Sequence, residues 1–502
     1  MNDQATTFTI DASAPGTPIT RSWELAVGSG DAWSLLRADL QAQLRRAVRE
    51  CGFRYLRCHG VLSDQLQAVI RNRAGQVVTN WRLVDAAYDA LLDLGLRPFV
   101  ELGFMPSALA SGTQRVFYYR ANVTPPADYE DWRPFITALV SHWRDRYGAE
   151  EIRRWYFEVW NEANLSSFWS GSKEESFRLY AETALAIKAV DPALPVGGPA
   201  TSRAEWLTDF LAYCREHGAP VDFVSTHVYP DDDEFEKVDP GYRAAFNRGG
   251  YLEKVVAAAT AEVAAARPQA NGEALPLHWT EWNSSWRWGR PIHDQPNQAA
   301  YICRVVHAVH AHVASFAFWT ISDIFNEFPF PAASFVGGFG LITIDGLPKP
   351  GYHAYQLLHR LGDRELPVTR MGNESPDETR LDVWVTRRAG AVQVLLSNYV
   401  PPGLEGLPLP ARRVDVRLAG LSAAPMRAAE WRVDATHANG RAAWEAMGSP
   451  AAPSRSQLAE LAAAAALRRS GAVELAPDGG GHAALHVSLP PGGVAFYELA
   501  AG

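Results

Sequence analysis

A repeated alternation of strand and helix patterns constrains the fold of this chain more than any other feature. Between about residue 22 and residue 323, short apolar runs rich in aromatic and β-branched residues alternate with amphipathic stretches of helical period. We predict strands at residues 22–27, 53–59, 98–104, 155–160, 195–198, 223–229, 277–282 and 316–321. Helical patterns cover residues 33–50, 81–94, 131–147, 176–190, 204–217, 252–266, 295–313 and 352–361. Eight β-then-α units in this order predict an α/β fold, a parallel sheet closed into a (β/α)8 barrel.

The pattern changes after about residue 362, where strand-like runs have a period of two residues. These runs lie at residues 381–386, 392–397, 414–418, 486–489 and 494–499, and a helical pattern interrupts them at residues 457–469. They predict a β-sandwich accessory domain over residues 362–502, which leaves residues 19–361 for the barrel. Residues 6–10 alternate weakly, and we expect the segment 1–18 to pair with the accessory sheet.

Charge and cysteine content narrow the classes of function. The formal net charge of -9 disfavours a nucleic-acid or anionic-membrane partner, since no basic excess is present to neutralise phosphates. Cys51, Cys58, Cys214 and Cys303 show no Cys-x-x-Cys spacing, which favours structural thiols over a zinc site or a disulfide framework. No apolar run reaches the length of about 18 residues that a membrane span needs. The first ten residues lack a secretory pattern, so we expect a cytoplasmic location.

Polar residues fall at the ends of five predicted strands. They are Arg57 and His59 on the second strand, Asn161 and Glu162 on the fourth, His227 and Tyr229 on the sixth, Glu281 and Asn283 on the seventh, and Asp323 after the eighth. Catalytic residues of a (β/α)8 barrel lie at the C-terminal ends of its strands. Two carboxylates on one rim are what hydrolysis of a glycosidic bond requires. A lone strand-end glutamate is usually solvated or ion-paired, so the convergence of five strands is the stronger evidence.

Three further glutamates fall within predicted strands. Glu24, Glu101 and Glu158 lie deeper in their strands or lack a neighbouring asparagine. Buried carboxylates are normally hydrogen-bonded. We therefore expect these three to be satisfied by basic or amide partners rather than to take part in catalysis.

An ordered set of motifs carries a family resemblance. The motifs are FRYLRCHG at residues 53–60, ELGFMP at 101–106, WNEAN at 160–164, VGGP at 196–199, STHVYP at 225–230, TEWNSS at 280–285 and GFGLIT at 338–343. Together they resemble glycoside hydrolase family 39, the β-xylosidases and their relatives in a large clan of retaining (β/α)8 glycosidases. The likeness runs from about residue 20 to 360. Ala163 departs from the pattern, because the family commonly has proline there, a change of loop stiffness rather than of chemistry.

The resemblance implies different roles for the two rim glutamates. Glu162 looks like the general acid/base and Glu281 like the nucleophile. Retention requires their carboxyl groups to lie roughly 5 Å apart. Glu162 must begin protonated, so we expect its pKa to be raised by the Glu281 carboxylate and by aromatic surroundings at Trp160, Phe168 and Trp169.

The resemblance also implies a set of residues around the sugar. The implied substrate-binding residues are His59, Asn161, His227, Tyr229, Trp319 and Glu327. Asn161 would bond the sugar 2-hydroxyl, Tyr229 would donate to the nucleophile, and Trp319 would form the floor. Arg57 would support the nucleophile and keep it ionised. The clan pattern further implies a cis peptide bond after Trp319, and the third βα loop, at residues 117–118, would wall the leaving-group side.

These roles imply a retaining exo-acting β-xylosidase that releases xylose from xylo-oligosaccharides or other small glycosides. An α-L-arabinosidase and an α-L-iduronidase remain alternatives, although no Arg or Lys can be assigned to grip a uronate. A non-catalytic sugar-binding barrel, from a different class, predicts loss of a carboxylate, whereas both are present. A metal-dependent hydrolase would need clustered ligands, and the rim histidines are on different strands, so we expect no metal or cofactor. No oligomeric interface can be identified from the sequence.

Overall fold

Eight parallel strands form a closed barrel in the computed structural model, which describes residues 5–231, 248–266, 274–372 and 379–499. The barrel strands, first to eighth, are Ala26–Asp31, Tyr55–His59, Arg97–Leu102, Tyr156–Val159, Val196–Thr201, Phe223–Val228, Leu277–Trp282 and Ser315–Phe318. The eighth strand pairs with the first through Phe318 and Val27, which closes the sheet. The predicted (β/α)8 barrel is therefore confirmed.

One helix on the outside of the barrel follows each strand. These helices are Ala38–Cys51, Arg82–Asp93, Tyr129–Tyr147, Lys173–Val190, Leu207–Glu216, Tyr251–Ala266, Pro296–Val309 and Pro350–Arg360. Their ends carry local signals: Ser172 and Glu175 form a capping box, and Gly52 ends the first helix in the left-handed region. No helix among the described residues is long and apolar enough to cross a membrane.

The first barrel strand begins later than the sequence pattern suggested. The predicted strand at residues 22–27 is wrong in its first half, because Ser22–Leu25 forms a helical turn and the strand runs over Ala26–Asp31. The apolar signal came from Trp23, which is fully buried edge-on against Trp384 of the accessory part. Glu24 therefore lies below the barrel, where it pairs with Arg21.

Strands from the N-terminal segment and from the part of the chain after the barrel form two stacked sheets. The four-stranded sheet has the order Val368–Met371, Thr6–Asp11, Arg412–Ala419, Ala483–Leu489. The seven-stranded sheet has the order Thr17–Pro18, Arg364–Glu365, Arg380–Arg388, Ala391–Tyr399, Val494–Leu499, Met426–Val433, Arg469–Leu475. Side chains of both sheets, such as Ile10, Val383 and Val416, share one apolar core. The N-terminal strand pairs parallel with Arg412–Ala419.

Two elements of this part differ from the sequence pattern. The helix predicted at residues 457–469 ends early, as Arg455–Ala465, and a strand begins at Arg469. The strand Met426–Val433 and the helix Gly440–Ala446 were not predicted. The sequence of this strand does not alternate between apolar and polar residues. The face that carries Met426 and Ala428 also carries Glu430 and Arg432, which form an ion pair with each other.

The interior of the barrel is layered along its axis. Ala26, Phe99, Phe223 and Ala317 fill its N-terminal end as an apolar layer, against which Tyr55 packs. Above this plug the inward side chains become polar, beginning with the buried residues Arg57, Glu101 and Glu158. The apolar layer excludes water from one end, so the polar groups can be reached only from the C-terminal mouth.

Candidate active site

Glu162 and Glu281 meet across the mouth of the barrel. One carboxylate oxygen of each lies within 4.8 Å of the other, together with a ring nitrogen of His227. Both side chains line a pocket of about 430 Å³ and are almost buried, with exposures of 7% for Glu162 and 4% for Glu281. Carboxyl groups of retaining glycosidases lie about 5–5.5 Å apart, whereas those of inverting enzymes lie about 6.5–9.5 Å apart. This approach falls on the retaining side.

A strained turn after the fourth strand delivers Glu162 to this position. Trp160 and Glu162 both have positive φ angles, 71° and 48°, in the region that favours glycine. Such residues cost about 1–3 kcal/mol each and persist where the surroundings enforce them. Here the Glu162 N–H donates to the Ala200 carbonyl at 2.8 Å, and the Trp160 indole donates to the Phe168 carbonyl at 3.0 Å. The neighbouring strand and loop therefore fix the direction of the Glu162 side chain.

Glu281 receives a donor on each carboxylate oxygen. Arg57 Nη1 donates to Oε1 at 2.7 Å, and the Tyr229 hydroxyl donates to Oε2 at 2.9 Å. Charge-assisted hydrogen bonds of this kind are about twice as strong as neutral ones. The two donors hold the carboxylate plane of Glu281 in one orientation.

Arg57 joins Glu281 to a buried layer of carboxylates. The guanidinium is fully buried and also contacts Glu158 through Nε at 2.5 Å, Asn161 through Nη2 at 2.9 Å and Glu101 through Nη2 at 2.9 Å. Burial alone would lower the pKa of Arg57, but the carboxylates of Glu158, Glu101 and Glu281 outweigh it and raise that pKa. As expected, Glu101 and Glu158 have a basic partner rather than a place in the pocket.

The environment of Glu162 favours its protonated form. Burial raises its pKa to about 7, while the charges of His59, Arg57 and Arg203 act in the opposite direction. The direction agrees with the expectation, although burial and not the Glu281 charge is the main cause. A carboxyl group with this pKa can carry a proton near neutral pH and also lose it.

Five of the six residues expected to bind substrate line the pocket, and they are His59, Asn161, Tyr229, Trp319 and Glu327. Trp319 packs under the pocket with Tyr229, and its ring centroid is 4.6 Å from that of His59. Oε1 of Glu327 is buried 3.4 Å from His59 Nε2 without a hydrogen-bond partner among the described residues. Burial raises the pKa of Glu327 well above its ordinary value. The peptide bond between Trp319 and Thr320 is cis, as predicted.

His227 is the exception, because it lies behind Glu162 rather than in the pocket. Its ring is fully buried, with Nδ1 3.1 Å from Glu162 Oε1 and Nε2 3.0 Å from Thr280 Oγ1. Both nitrogens are thus engaged by protein atoms, which differs from the expectation that His227 binds a sugar hydroxyl. Thr280 was not predicted as a site residue. Side chains of a regular strand alternate between its two faces, so Thr280 and its neighbour Glu281 would point in opposite directions. The strand is irregular between Trp279 and Trp282, and both side chains reach the interior.

Loops supply pocket residues that strand patterns could not reveal. They are Leu165, Ser167, Phe168, Ser202, Arg203, Trp286, Phe328 and Phe339, together with Phe117 from the third βα loop. Tyr118, expected beside Phe117, is 68% exposed and does not line the pocket. Asp323 was expected at the rim, but it is buried in an ion pair with Lys349 at 2.6 Å. The loop that carries Glu327 therefore rests on a buried charge cluster.

The same three side chains that meet at the mouth are of types that can bind metals. Ligand atoms of Glu162, His227 and Glu281 all lie within 4.8 Å of one another. Arg57 and Tyr229 already donate to both oxygens of Glu281, and a cationic donor there opposes a second cation. The donor set thus fits a hydrogen-bonded acid and carboxylate better than a metal centre.

Comparison with known proteins gives a consistent picture. The model of the family described as Glycosyl hydrolases family 39 matches residues 6–479. A beta-xylosidase of Caldicellulosiruptor saccharolyticus is 38% identical over 456 residues, 90% of each chain. A beta-xylosidase of Geobacillus stearothermophilus is 40% identical over 451 residues, 88% of this chain and 86% of that one. The crystal structure of the GH39 enzyme from Xanthomonas axonopodis pv. citri superposes with a TM-score of 0.86 at 32% identity, covering 99% of this chain and 98% of that chain.

Proposed function

The chain belongs to glycosyl hydrolase family 39, and from this premise we propose that it is a retaining, exo-acting β-xylosidase. It releases xylose from the non-reducing ends of xylo-oligosaccharides or other small glycosides. The observation that carries the proposal is the approach of the Glu162 and Glu281 oxygens to within 4.8 Å. At that separation both carboxyl groups reach one anomeric centre, as a double displacement requires.

In the first half-reaction Glu281 is the nucleophile and Glu162 the acid. A Glu281 oxygen attacks the anomeric carbon while the Glu162 proton passes to the glycosidic oxygen, whose bond to that carbon breaks. The aglycone leaves as an alcohol, and xylose remains as an ester on Glu281. Arg57 and Tyr229 hold the attacking carboxylate in one orientation before the bond forms.

In the second half-reaction Glu162 acts as the base. The ester has removed the charge of Glu281, and Glu162 now accepts a proton from water as the water oxygen attacks the anomeric carbon. The ester bond breaks, Glu281 regains its carboxylate and xylose leaves with its original anomeric configuration. A pKa of about 7 for Glu162 suits both proton transfers near neutral pH.

The remaining pocket residues fit the hydroxyls and the ring of a neutral sugar. Asn161 accepts from Arg57 through Oδ1, which turns the amide NH2 toward a ligand such as the 2-hydroxyl. Trp319 offers an aromatic floor for the sugar ring. Glu327 presents its buried Oε1 to a distal hydroxyl. We assign these three residues to substrate binding.

The electrostatics of the pocket disfavour a uronate substrate. Glu162, Glu281 and Glu327 all line it, whereas its guanidinium, Arg203, pairs with Glu205 at 2.8 Å. A uronate carboxylate would therefore face the Glu281 carboxylate, and the Arg203 guanidinium of the pocket is already engaged by Glu205. A neutral pentose meets no such penalty, so we favour xylose over iduronic acid.

A panel of nitrophenyl glycosides tests the substrate class. We expect the β-D-xyloside to be cleaved faster than the α-L-arabinoside, the β-D-glucoside and the α-L-iduronide. Proton NMR of the first product tests stereochemistry, and β-xylose should appear before mutarotation. Faster cleavage of a pentoside other than the β-D-xyloside would identify a different substrate. Formation of α-xylose as the first product would refute retention. No turnover of any glycoside would favour the non-catalytic sugar-binding barrel.

A matched pair of variants tests the two roles. Glu281→Ala with azide should form α-xylosyl azide, because azide takes the place vacated by the nucleophile and inverts the anomeric centre. Glu162→Ala with azide should form β-xylosyl azide from an activated aryl xyloside, because azide attacks the Glu281 ester. The same product from both variants, or exchanged products, would contradict the assignment.

A further inference from the structure

A chain of buried hydrogen bonds leads from Arg57 to Glu162. Arg57 Nε donates to Glu158 Oε2 at 2.5 Å, and the Thr280 hydroxyl donates to Glu158 Oε1 at 2.8 Å. Thr280 Oγ1 lies 3.0 Å from His227 Nε2, and His227 Nδ1 lies 3.1 Å from Glu162 Oε1. The first four residues are fully buried. The order of donors and acceptors along this chain can therefore be worked out without water.

The direction of the chain is set at Glu158. Burial alone would raise the pKa of Glu158, but the Arg57 guanidinium, with smaller contributions from His227 and Ser225, holds that pKa below its ordinary value. An ionised carboxylate only accepts hydrogen bonds, so Thr280 gives its single hydroxyl proton to Glu158. The Thr280 oxygen then presents a lone pair to His227, and Nε2 of that ring must carry a hydrogen.

The tautomer of His227 follows from that constraint. Burial lowers the pKa of His227 to about 4, although the Glu281 charge acts in the opposite direction, so the ring is neutral near pH 7. A neutral imidazole has one N–H group, and Thr280 requires it on Nε2. Nδ1 is consequently an acceptor facing Glu162 Oε1. The hydrogen between them belongs to the carboxyl group of Glu162.

We propose that Thr280 and Glu158 fix the tautomer of His227 so that its bare Nδ1 holds Glu162 in the protonated form. The proposal rests on the function proposed above, and it makes His227 and Thr280 positioning residues for the acid/base. The opposite tautomer would place an N–H against Glu162, stabilise its carboxylate and weaken it as an acid.

The relay acts in both half-reactions. In the first, the proton on Glu162 leaves Nδ1 of His227 and passes to the glycosidic oxygen, which keeps the electron pair of the broken bond. In the second, the ionised Glu162 faces the lone pair of Nδ1, which increases its affinity for a proton from the attacking water. The proton then returns to its place between Glu162 and His227.

Other charged groups face this pair from neighbouring strands and loops. Arg57, His59 and Arg203 lower the pKa of Glu162, while Glu281, Glu158 and Glu101 favour the charged form of His227. Nδ1 of His227 also lies 3.7 Å from Glu281 Oε1. A variant at Thr280 leaves all of these charges in place, so it isolates the effect of the tautomer.

Thr280→Val, with Thr280→Ser as its matched control, tests the relay. Valine keeps the shape and removes the hydroxyl, so the buried Nε2–H loses its acceptor and the proton moves to Nδ1, where Glu162 accepts it. For an aryl xyloside with a poor leaving group, the basic limb of kcat/KM should move down by about one pH unit, the effect of one hydrogen bond to a charged group. Serine keeps the hydroxyl and should keep the wild-type limb.

A dinitrophenyl xyloside separates the relay from a general structural effect. Its leaving group needs no proton, so its pH profile should be the same in wild type and Thr280→Val. An unchanged basic limb on the poor substrate in Thr280→Val, or an equal shift on both substrates, would overturn the proposal. A wild type that cleaves no xyloside would instead overturn the proposed function, and the relay would still be decided by spectroscopy.

Nitrogen-15 NMR of histidine-labelled protein gives that second, activity-independent measurement. The His227 signal, assigned by its loss in His227→Phe, should show a protonated Nε2 and a bare Nδ1 in the wild type. Glu158→Gln should move the ring proton from Nε2 to Nδ1. Arg57 would hold the amide oxygen of the glutamine, its NH2 would donate to Thr280, and the Thr280 hydroxyl would then donate to Nε2 of His227. A hydrogen on Nδ1 of His227 in the wild type would overturn the relay, even if Thr280→Val did not fold.

Discussion

Lys349 is a buried cation whose removal should have a large and specific effect. Its ammonium group is fully buried between Asp294 at 2.8 Å and Asp323 at 2.6 Å, and it donates to the Gly338 carbonyl at 3.0 Å. Asp323 precedes the loop that carries Glu327, and Gly338 follows that loop. Lys349 therefore joins the two ends of the loop at the base of the pocket.

Lys349→Met removes the charge and leaves two buried carboxylates without a counter-ion. Breaking a buried ion pair on one side costs about 3–5 kcal/mol, which is the loss we expect in the free energy of unfolding. Burial already raises the pKa of Asp323 to about 6, with Lys349 acting against it, so the variant raises this pKa further. Because a neutral Asp323 is cheaper to bury, the loss should be smaller at pH 5 than at pH 8.

Urea unfolding followed by tryptophan fluorescence measures this loss, and xyloside kinetics measure the effect on the loop. We expect KM to rise more than kcat falls, since Glu327 binds substrate in the proposed function. Adding Asp294→Asn and Asp323→Asn to Lys349→Met is the control. Asparagine still accepts from the Gly337 and Gly340 amides while it removes the charges, so more than half of the lost stability should return. A loss below about 1 kcal/mol, or no recovery in the triple variant, would refute the reasoning.

Three further changes test other parts of the structure. The Asp382 carboxylate helps to raise the pKa of His307 to about 9 despite burial. The charged His307 therefore stabilises the folded protein fully below about pH 6.5, and this contribution is lost as the pH rises through 9. In thermal melts, His307→Gln should not show this loss of stability between about pH 6.5 and 9. Tyr229→Phe removes one donor from Glu281, the proposed nucleophile, and kcat/KM should fall by about tenfold or more with unchanged melting temperature. Gly28→Ala places a Cβ 2.4 Å from the Trp319 ring, so KM for xylosides should rise because the floor shifts, whereas an unchanged KM would contradict the close approach.

The sequence determined the barrel well where each strand is buried on both faces. The seventh strand, Leu277–Trp282, was predicted with its observed ends because its apolar run stops where the polar rim begins. The first strand was misplaced because Trp23 packs against the accessory sheets and produces the same apolar signal as a strand. Local patterns report that a residue is buried, but they do not report which neighbour buries it.

The same limit explains which parts of the site were predicted. Glu162, Glu281 and Arg57 were found because strand ends of a closed barrel converge whatever the loops do. Thr280 was missed because irregularities in strand pairing beside it break the regular alternation of inward and outward side chains, and the sequence does not reveal such irregularities. Glu158 was taken for a satisfied buried carboxylate, which it is, yet its bond to Thr280 also sets the direction of the proposed relay. In the proposed relay Glu158 acts on catalysis without touching the substrate, a role that its hydrogen-bond partners indicate and its sequence position does not.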